Sequence, residues 1–135
     1  MLQYLTSYGA TALAFLVLDG LWLGVIAKDF YKSKMGALMA DQINMPVAVS
    51  FYALFVAGLT FFAVMPGLQN SDWKIAALYG ALFGFFTYAT YNLTNMATIK
   101  GWPYDMSLVD LCWGTVLSGL SASAGYMAAQ YFLKT

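Results

Sequence analysis

An all-α integral membrane fold, a bundle of four transmembrane helices, is predicted by three observations. Of the 135 residues, 61% are hydrophobic and only 9% are charged, where a soluble domain carries about 25% charged residues. The apolar residues gather in four nearly charge-free runs, at about residues 2–27, 47–65, 75–99 and 106–132. Each run approaches or exceeds the roughly 20 residues that cross a bilayer core of about 30 Å. Too little polar chain lies between the runs to cover them in water, so the lipid bilayer is the expected surrounding and residues 1–135 form a single domain.

Composition also excludes. Net charge is zero and there is no Arg, so no nucleic-acid partner is expected. Cys112 is alone, which excludes an internal disulfide. With no His and one Cys, the usual zinc and haem ligand sets cannot be assembled. Two acids without a spacing motif make a Mg or Ca site improbable, and no Lys lies deep in a run to carry a Schiff-base chromophore. No cofactor and no metal are expected.

The first run opens on Met1-Leu2-Gln3-Tyr4, without the basic start of a secretory signal, and reads as a retained span. One face collects Tyr4, Tyr8, Thr11, Phe15, Asp19 and Trp22. A carboxylate inside a span costs about 2.5–3.5 kcal/mol on insertion scales, so Asp19 is expected to point inward to a partner. The most charged segment follows, from Lys28 to Pro46. Phe30, Tyr31, Met35, Leu38, Met39 and Ile43 recur there at roughly helical spacing, which fits either a short helix along the membrane surface or a plain loop. Pro46 suits the first turn of the second span, which carries Ser50 and Tyr52 and is expected to stop around Pro66-Gly67. Ser71 or Asp72 is the candidate N-cap of the third span, with Trp73 as an interfacial anchor.

The third span opens with Gly80-x-x-x-Gly84, a close-packing signal, and then turns polar. At 100° per residue, Gly84, Tyr88, Asn92 and Asn95 share one stripe, and Thr87, Tyr91, Thr94 and Thr98 a second beside it. In lipid such a polar half is expected to face protein or a cavity. After an aromatic hairpin at Lys100-Gly101-Trp102-Pro103, the fourth span meets Asp110 and Trp113. It continues through the small residues Ser118 to Gly125, where backbones can approach closely, within the bundle or between subunits.

The first span ends, the third ends and the fourth begins on one side of the membrane. Asp19 lies roughly 13 Å from that side, with Asn92, Asn95 and Asp110 at roughly 6–10 Å. Tyr52 enters from the second span at comparable depth. Lys28, Lys32, Lys34 and Lys100 stand on this side against Lys74 and Lys134 on the other, which places the first and third loops in the cytoplasm. Asp19-x-x-Trp22 and Asp110-x-x-Trp113 repeat one spacing, by inverted symmetry or by chance.

The residues expected to form a ligand-binding or proton-responsive site are therefore Asp19, Trp22, Tyr52, Tyr88, Asn92, Asn95, Asp110 and Trp113. Two carboxyls in low dielectric, without Arg, Lys or His beside them, suit proton-coupled exchange or binding of a cation or polar head group. Three other readings stay open. The acids can serve as structural glue, although interhelical hydrogen bonds average only about 0.6 kcal/mol. They can do acid–base work on a lipid, although no nucleophile, metal or cofactor motif supports an enzyme. The chain can also be a structural subunit that docks through the small residues of its fourth span.

Several blocks carry a resemblance: L-D-G-L-W-L-G at residues 18–24, Phe30-Tyr31, Phe51-Tyr52, F-A-V-M-P at 62–66, G-A-L-F-G at 80–84, T-Y-N-L-T-N at 90–95, Trp102-Pro103 and V-D-L-C-W-G at 109–114. Together they resemble a bacterial group of predicted membrane proteins, domain of unknown function 2177. The resemblance covers nearly the whole chain. It implies a compact, multi-pass inner-membrane protein of about four helices and brings no established reaction. Asp19, Trp22, Asn95, Asp110 and Trp113 match the family pattern. Family members often carry Asp where this chain has Asn92, which weakens a mechanism needing a third acid and suits a hydrogen-bonding role. The function expected is binding or transport of a small amphiphilic or lipid-like molecule, with a homo-oligomer or a membrane-complex partner.

Overall fold

The computed structural model describes residues 1–133; Lys134, used above to orient the chain, lies outside the described residues. Every regular element among them is helical. Helix α1 (Leu2–Leu21) runs into a π-helical turn (Trp22–Ile26), and α2 (Lys28–Met35) follows, ending in a 3-10 turn (Gly36–Leu38). Helix α3 (Met45–Leu59), a second π-helical turn (Thr60–Val64) and α4 (Met65–Gln69) form a continuous rod. Helices α5 (Trp73–Thr98) and α6 (Tyr104–Phe132) complete the chain. Two segments, Leu2–Ile26 and Met45–Gln69, are long and apolar enough to cross a membrane by length and composition.

Local chemistry sets most boundaries. Asn44 caps α3 by accepting from the Val47 amide, and Pro46 sits in the first turn, where its missing N–H costs nothing. Of the two candidate caps for α5 it is Asp72 that accepts, from the Lys74 amide. The expectation that the second helix stops at Pro66-Gly67 is corrected: it continues to Gln69. The π turn just before Pro66 has already shifted the backbone hydrogen bonds by one residue, so the proline ring finds room and no i−4 bond is broken abruptly. Residues 28–35 form a helix rather than a plain loop.

Neighbours in the chain run antiparallel. Phe15 of α1 meets Phe55 of α3 at 5.1 Å between ring centroids, and Phe83 of α5 meets Phe55 at 5.2 Å. Thr11 lies against Gly125 and Asp19 against Trp113, which runs α6 back along α1. The closest contact is between α5 and α6. Gly80 packs on Ser118 and Ala122, and Gly84 on Gly114 and Ser118. The small residues of the last helix are thus used inside the chain, with Ser118, Gly119, Ser121, Ala122 and Gly125 all buried. Outward-facing positions carry Leu13, Leu16, Val17, Leu54, Phe61, Phe62, Phe86, Leu93 and Leu120, all more than half exposed. Such a continuous apolar exterior is what lipid, not water, favours.

Candidate functional site

Acidic, amide, phenol and indole side chains from the four long helical segments meet at one level of the molecule. Asp19, on the buried stripe of Ser7, Thr11 and Phe15 in α1, is itself 5% exposed. Its Oδ2 accepts from Tyr52 Oη at 2.5 Å. Its Oδ1 accepts from Trp113 Nε1 at 3.1 Å. Asp110 mirrors this arrangement from the other end of the chain: Oδ2 accepts from Asn92 Nδ2 at 2.8 Å and Oδ1 from Tyr31 Oη at 2.9 Å. Tyr31 Oη in turn accepts from Trp22 Nε1 at 3.1 Å. The indoles of Trp22 and Trp113 stack 4.5 Å apart, 11° from parallel.

The repeated Asp-x-x-Trp spacing therefore has a crossed geometry. In each copy the Trp serves the other helix's Asp, directly for Trp113 and through Tyr31 for Trp22. On antiparallel helices, a carboxyl and an indole one turn apart present complementary partners to a second copy of the same pair. Each Asp has one oxygen facing an N–H that only donates and one facing a tyrosine hydroxyl that can donate or accept. At Asp19 the bond with the Tyr52 hydroxyl can reverse with no heavy atom moving, whereas the Tyr31 hydroxyl, which already accepts from Trp22, stays a donor to Asp110.

Between the two acids lies a cavity of about 390 Å³, walled by Phe51, Tyr52, Phe55, Tyr88, Tyr91 and Trp113. Gly114 makes room for one wall, because a Cβ there would lie 2.2 Å from the Tyr88 ring. Phe15, Leu59, Val64 and Leu117 are fully buried in the main hydrophobic core, which Tyr52, Tyr88 and Trp113 of the cavity wall pack against.

Of the eight residues expected at the site, Asp19, Trp22, Tyr52, Asn92, Asp110 and Trp113 join one bonded or stacked network. Tyr88 contributes its ring to the wall, while half-buried Asn95 stands a turn away from these bonds. Ser50 is exposed and donates to the Pro46 carbonyl. The second stripe of α5 divides: Thr87 and Tyr91 line the cavity, whereas Thr94 and Thr98 are exposed, against expectation. Their hydroxyls donate to the carbonyls of Thr90 and Thr94 in their own helix, so they need neither protein nor water.

Tyr31 is the member of this network that the sequence did not point to. Its place among apolar residues of helical spacing marked it only as part of a surface face. Its partner is 79 positions away, a pairing that no local pattern reports. It reaches Asp110 because Ala27, buried at the junction of the π turn and α2, folds that helix back onto a cluster with Trp102 and Met106. Burial and the nearby carboxylate of Asp110 push the Tyr31 hydroxyl well above the usual phenol range, so it stays a neutral donor.

Helix α2 has a second tether, the ion pair of Lys34 with Asp105. Both ends are exposed, and Lys34 holds the Asp105 carboxyl below its usual range. A depressed carboxylate contributes its stabilisation above the unfolded value, near pH 4, and loses it as pH falls through the lower folded value. A nitroxide at Ser33→Cys in a Cys112→Ser background is therefore expected to keep constant mobility from pH 7 to about pH 4 and to loosen below. Asp105→Asn should abolish that response; a pH profile unchanged by Asp105→Asn would reject the tether.

The helical fold, the apolar exterior and the buried polar layer define a membrane protein. The chain matches the family described as Predicted membrane protein (DUF2177) over residues 4–127 and belongs to it. Searches of curated proteins and of solved structures find no match.

Proposed function

We propose that this chain crosses the bacterial inner membrane four times, as an antiparallel bundle, and binds or carries a small amphiphilic molecule in the cavity between Asp19 and Asp110. The carrying observation is the convergence of two carboxyls, from opposite ends of the chain, on one aromatic cavity in which every hydrogen-bond donor to them is neutral. Glue alone needs no cavity. The four-span reading is supported by α5 and α6, 26 and 29 residues long, or about 39 and 43 Å at 1.5 Å per residue. Their outer faces carry Leu78, Leu82, Phe86, Leu93, Leu108, Val116 and Leu120. Asn92, Ser107, Ser118, Ser121, Gly80, Gly84, Gly114, Gly119 and Gly125 lower the average but are buried.

The lysines of the first and third loops orient those loops to the cytoplasm, so the cavity lies in the cytoplasmic half. Asp19 and Asp110 are the proton-responsive groups. Thr87, which lines the cavity, donates to the carbonyls of Phe83 and Gly84 instead of standing ready as a nucleophile, and this favours binding over lipid chemistry. A homo-oligomer supplying a longer path is expected by analogy with other compact bundles. Native mass spectrometry of protein released gently from its own membrane is the test. A co-purifying small molecule is expected, retained by the wild type and lost in Asp19→Asn and Asp110→Asn. A bare chain, or one in fixed stoichiometry with another protein, would instead support a structural subunit.

A further inference from the structure

We infer that the molecule this cavity takes is an organic cation: an ammonium group on a small apolar body. The inference rests on the ligand-site reading above and names its chemistry.

Charge is the first argument. Tyr52, Trp113, Tyr31 and Asn92 donate hydrogen bonds to the two carboxyls but bring no positive charge. The sequence has no Arg or His, and among the described residues no lysine lines the cavity. The ion pair found among them, Lys34 with Asp105, lies on the surface. Two carboxylates in low dielectric without a protein cation are costly, so the counter-charge must arrive with a proton or a ligand. Asn92 deepens the field. Its Nδ2 donates to both the Tyr88 carbonyl and Asp110, which fixes the amide's orientation and leaves Oδ1 buried without a donor beside Asp110.

The walls are the second argument. The rings of Phe51, Tyr52, Phe55, Tyr88, Tyr91 and Trp113 line the cavity, and aromatic π systems attract a desolvated ammonium. The two carboxyls and the negative ring faces disfavour an anion. A divalent metal would want six or more oxygen ligands. Here each of the four carboxylate oxygens already accepts a bond, and the other side-chain oxygens of the lining are neutral Tyr and Thr hydroxyls. An apolar neutral molecule would fill the space but leave the two carboxyls to be balanced by protons alone. The same ammonium chemistry can come from a free amine or from the headgroup of a choline lipid.

Isothermal titration of the full chain in micelles with benzyltrimethylammonium, its neutral isostere neopentylbenzene, and benzenesulfonate separates charge from shape. Saturable binding of the cation is expected, at least tenfold tighter than that of the isostere, with none for the sulfonate. Asp19→Asn and Asp110→Asn should each weaken the cation tenfold or more and leave the isostere unchanged, with helix content checked by circular dichroism. Phe55→Leu, which keeps the cavity apolar and removes a ring face, should weaken the cation selectively. Repeating the titration in nanodiscs assigns the source: competition by phosphatidylcholine but not phosphatidylglycerol means a headgroup, and no competition means a free amine. Equal binding of cation and isostere, indifferent to both Asp variants, overturns the cation while leaving a ligand site. No binding by either, together with a bare chain in native mass spectrometry, overturns both.

Discussion

Gly84→Val is expected to destabilise the protein by about 3 kcal/mol or more, the upper end of overpacking costs. A Cβ at Gly84 would lie 2.2 Å from the Gly114 carbonyl oxygen and 2.5 Å from Ser118 Oγ. The first of these is backbone and cannot rotate away. Relief requires α5 and α6 to separate, and that separation would also draw Asn92 from Asp110 and Tyr88 from its place against Gly114. Gly9→Val is the control, because a Cβ at Gly9 meets nothing within 4 Å; its effect should stay within about 0.5 kcal/mol, as for surface substitutions generally. Unfolding in detergent, followed by tryptophan fluorescence, compares the two. Equal stability of the two variants would show that the close approach of α5 and α6 is not what holds the fold.

Replacing Asp19 by Ala is expected to cost about 2–4 kcal/mol, because it leaves the half-buried Tyr52 hydroxyl and Trp113 indole N–H without an acceptor. Asp19→Asn keeps the shape. Its oxygen can accept from the indole and its amide can donate to the tyrosine, so its stability should match or exceed the wild type once a charge has left the low-dielectric interior. The comparison separates two roles that the geometry superimposes. If the acid is glue, Asn should behave as wild type in every assay. If it is a site, Asn should fold normally and yet lose ligand. Denaturation midpoints measured beside ligand retention decide between them. An Asn variant as unstable as the Ala variant would mean that the charge itself holds the helices.

Much of this was legible beforehand because lipid restricts what polar residues can do. A carboxyl in an apolar run must turn inward, and helices of alternating direction place Asp19, Asn92 and Asp110 at a similar level from loop positions alone. The Gly80–Gly84 spacing and the small residues of α6 likewise announced a close contact. Their ambiguity, within the chain or between chains, is resolved by Ser118 and Ala122 packing on Gly80 and Gly84. The threonines of α5 misled for a local reason: a hydroxyl that can bond its own helix four residues back needs no interior. Pro66 misled because a widened turn just upstream absorbs a residue that would otherwise end a helix.

By itself the sequence determined the all-helical membrane character, the approximate reach of the long helical segments and the identity of the two acids of the polar layer. These follow from short-range periodicity and from the cost of polar groups in hydrocarbon. Only the tertiary structure decided that Trp113 serves Asp19, that Trp22 serves Asp110 through Tyr31, and that aromatic rings from three segments enclose the space between them. Those pairings join residues 94 and 79 positions apart. They depend on how antiparallel helices are rotated about their axes, and that rotation is set by where glycine lets one backbone touch another.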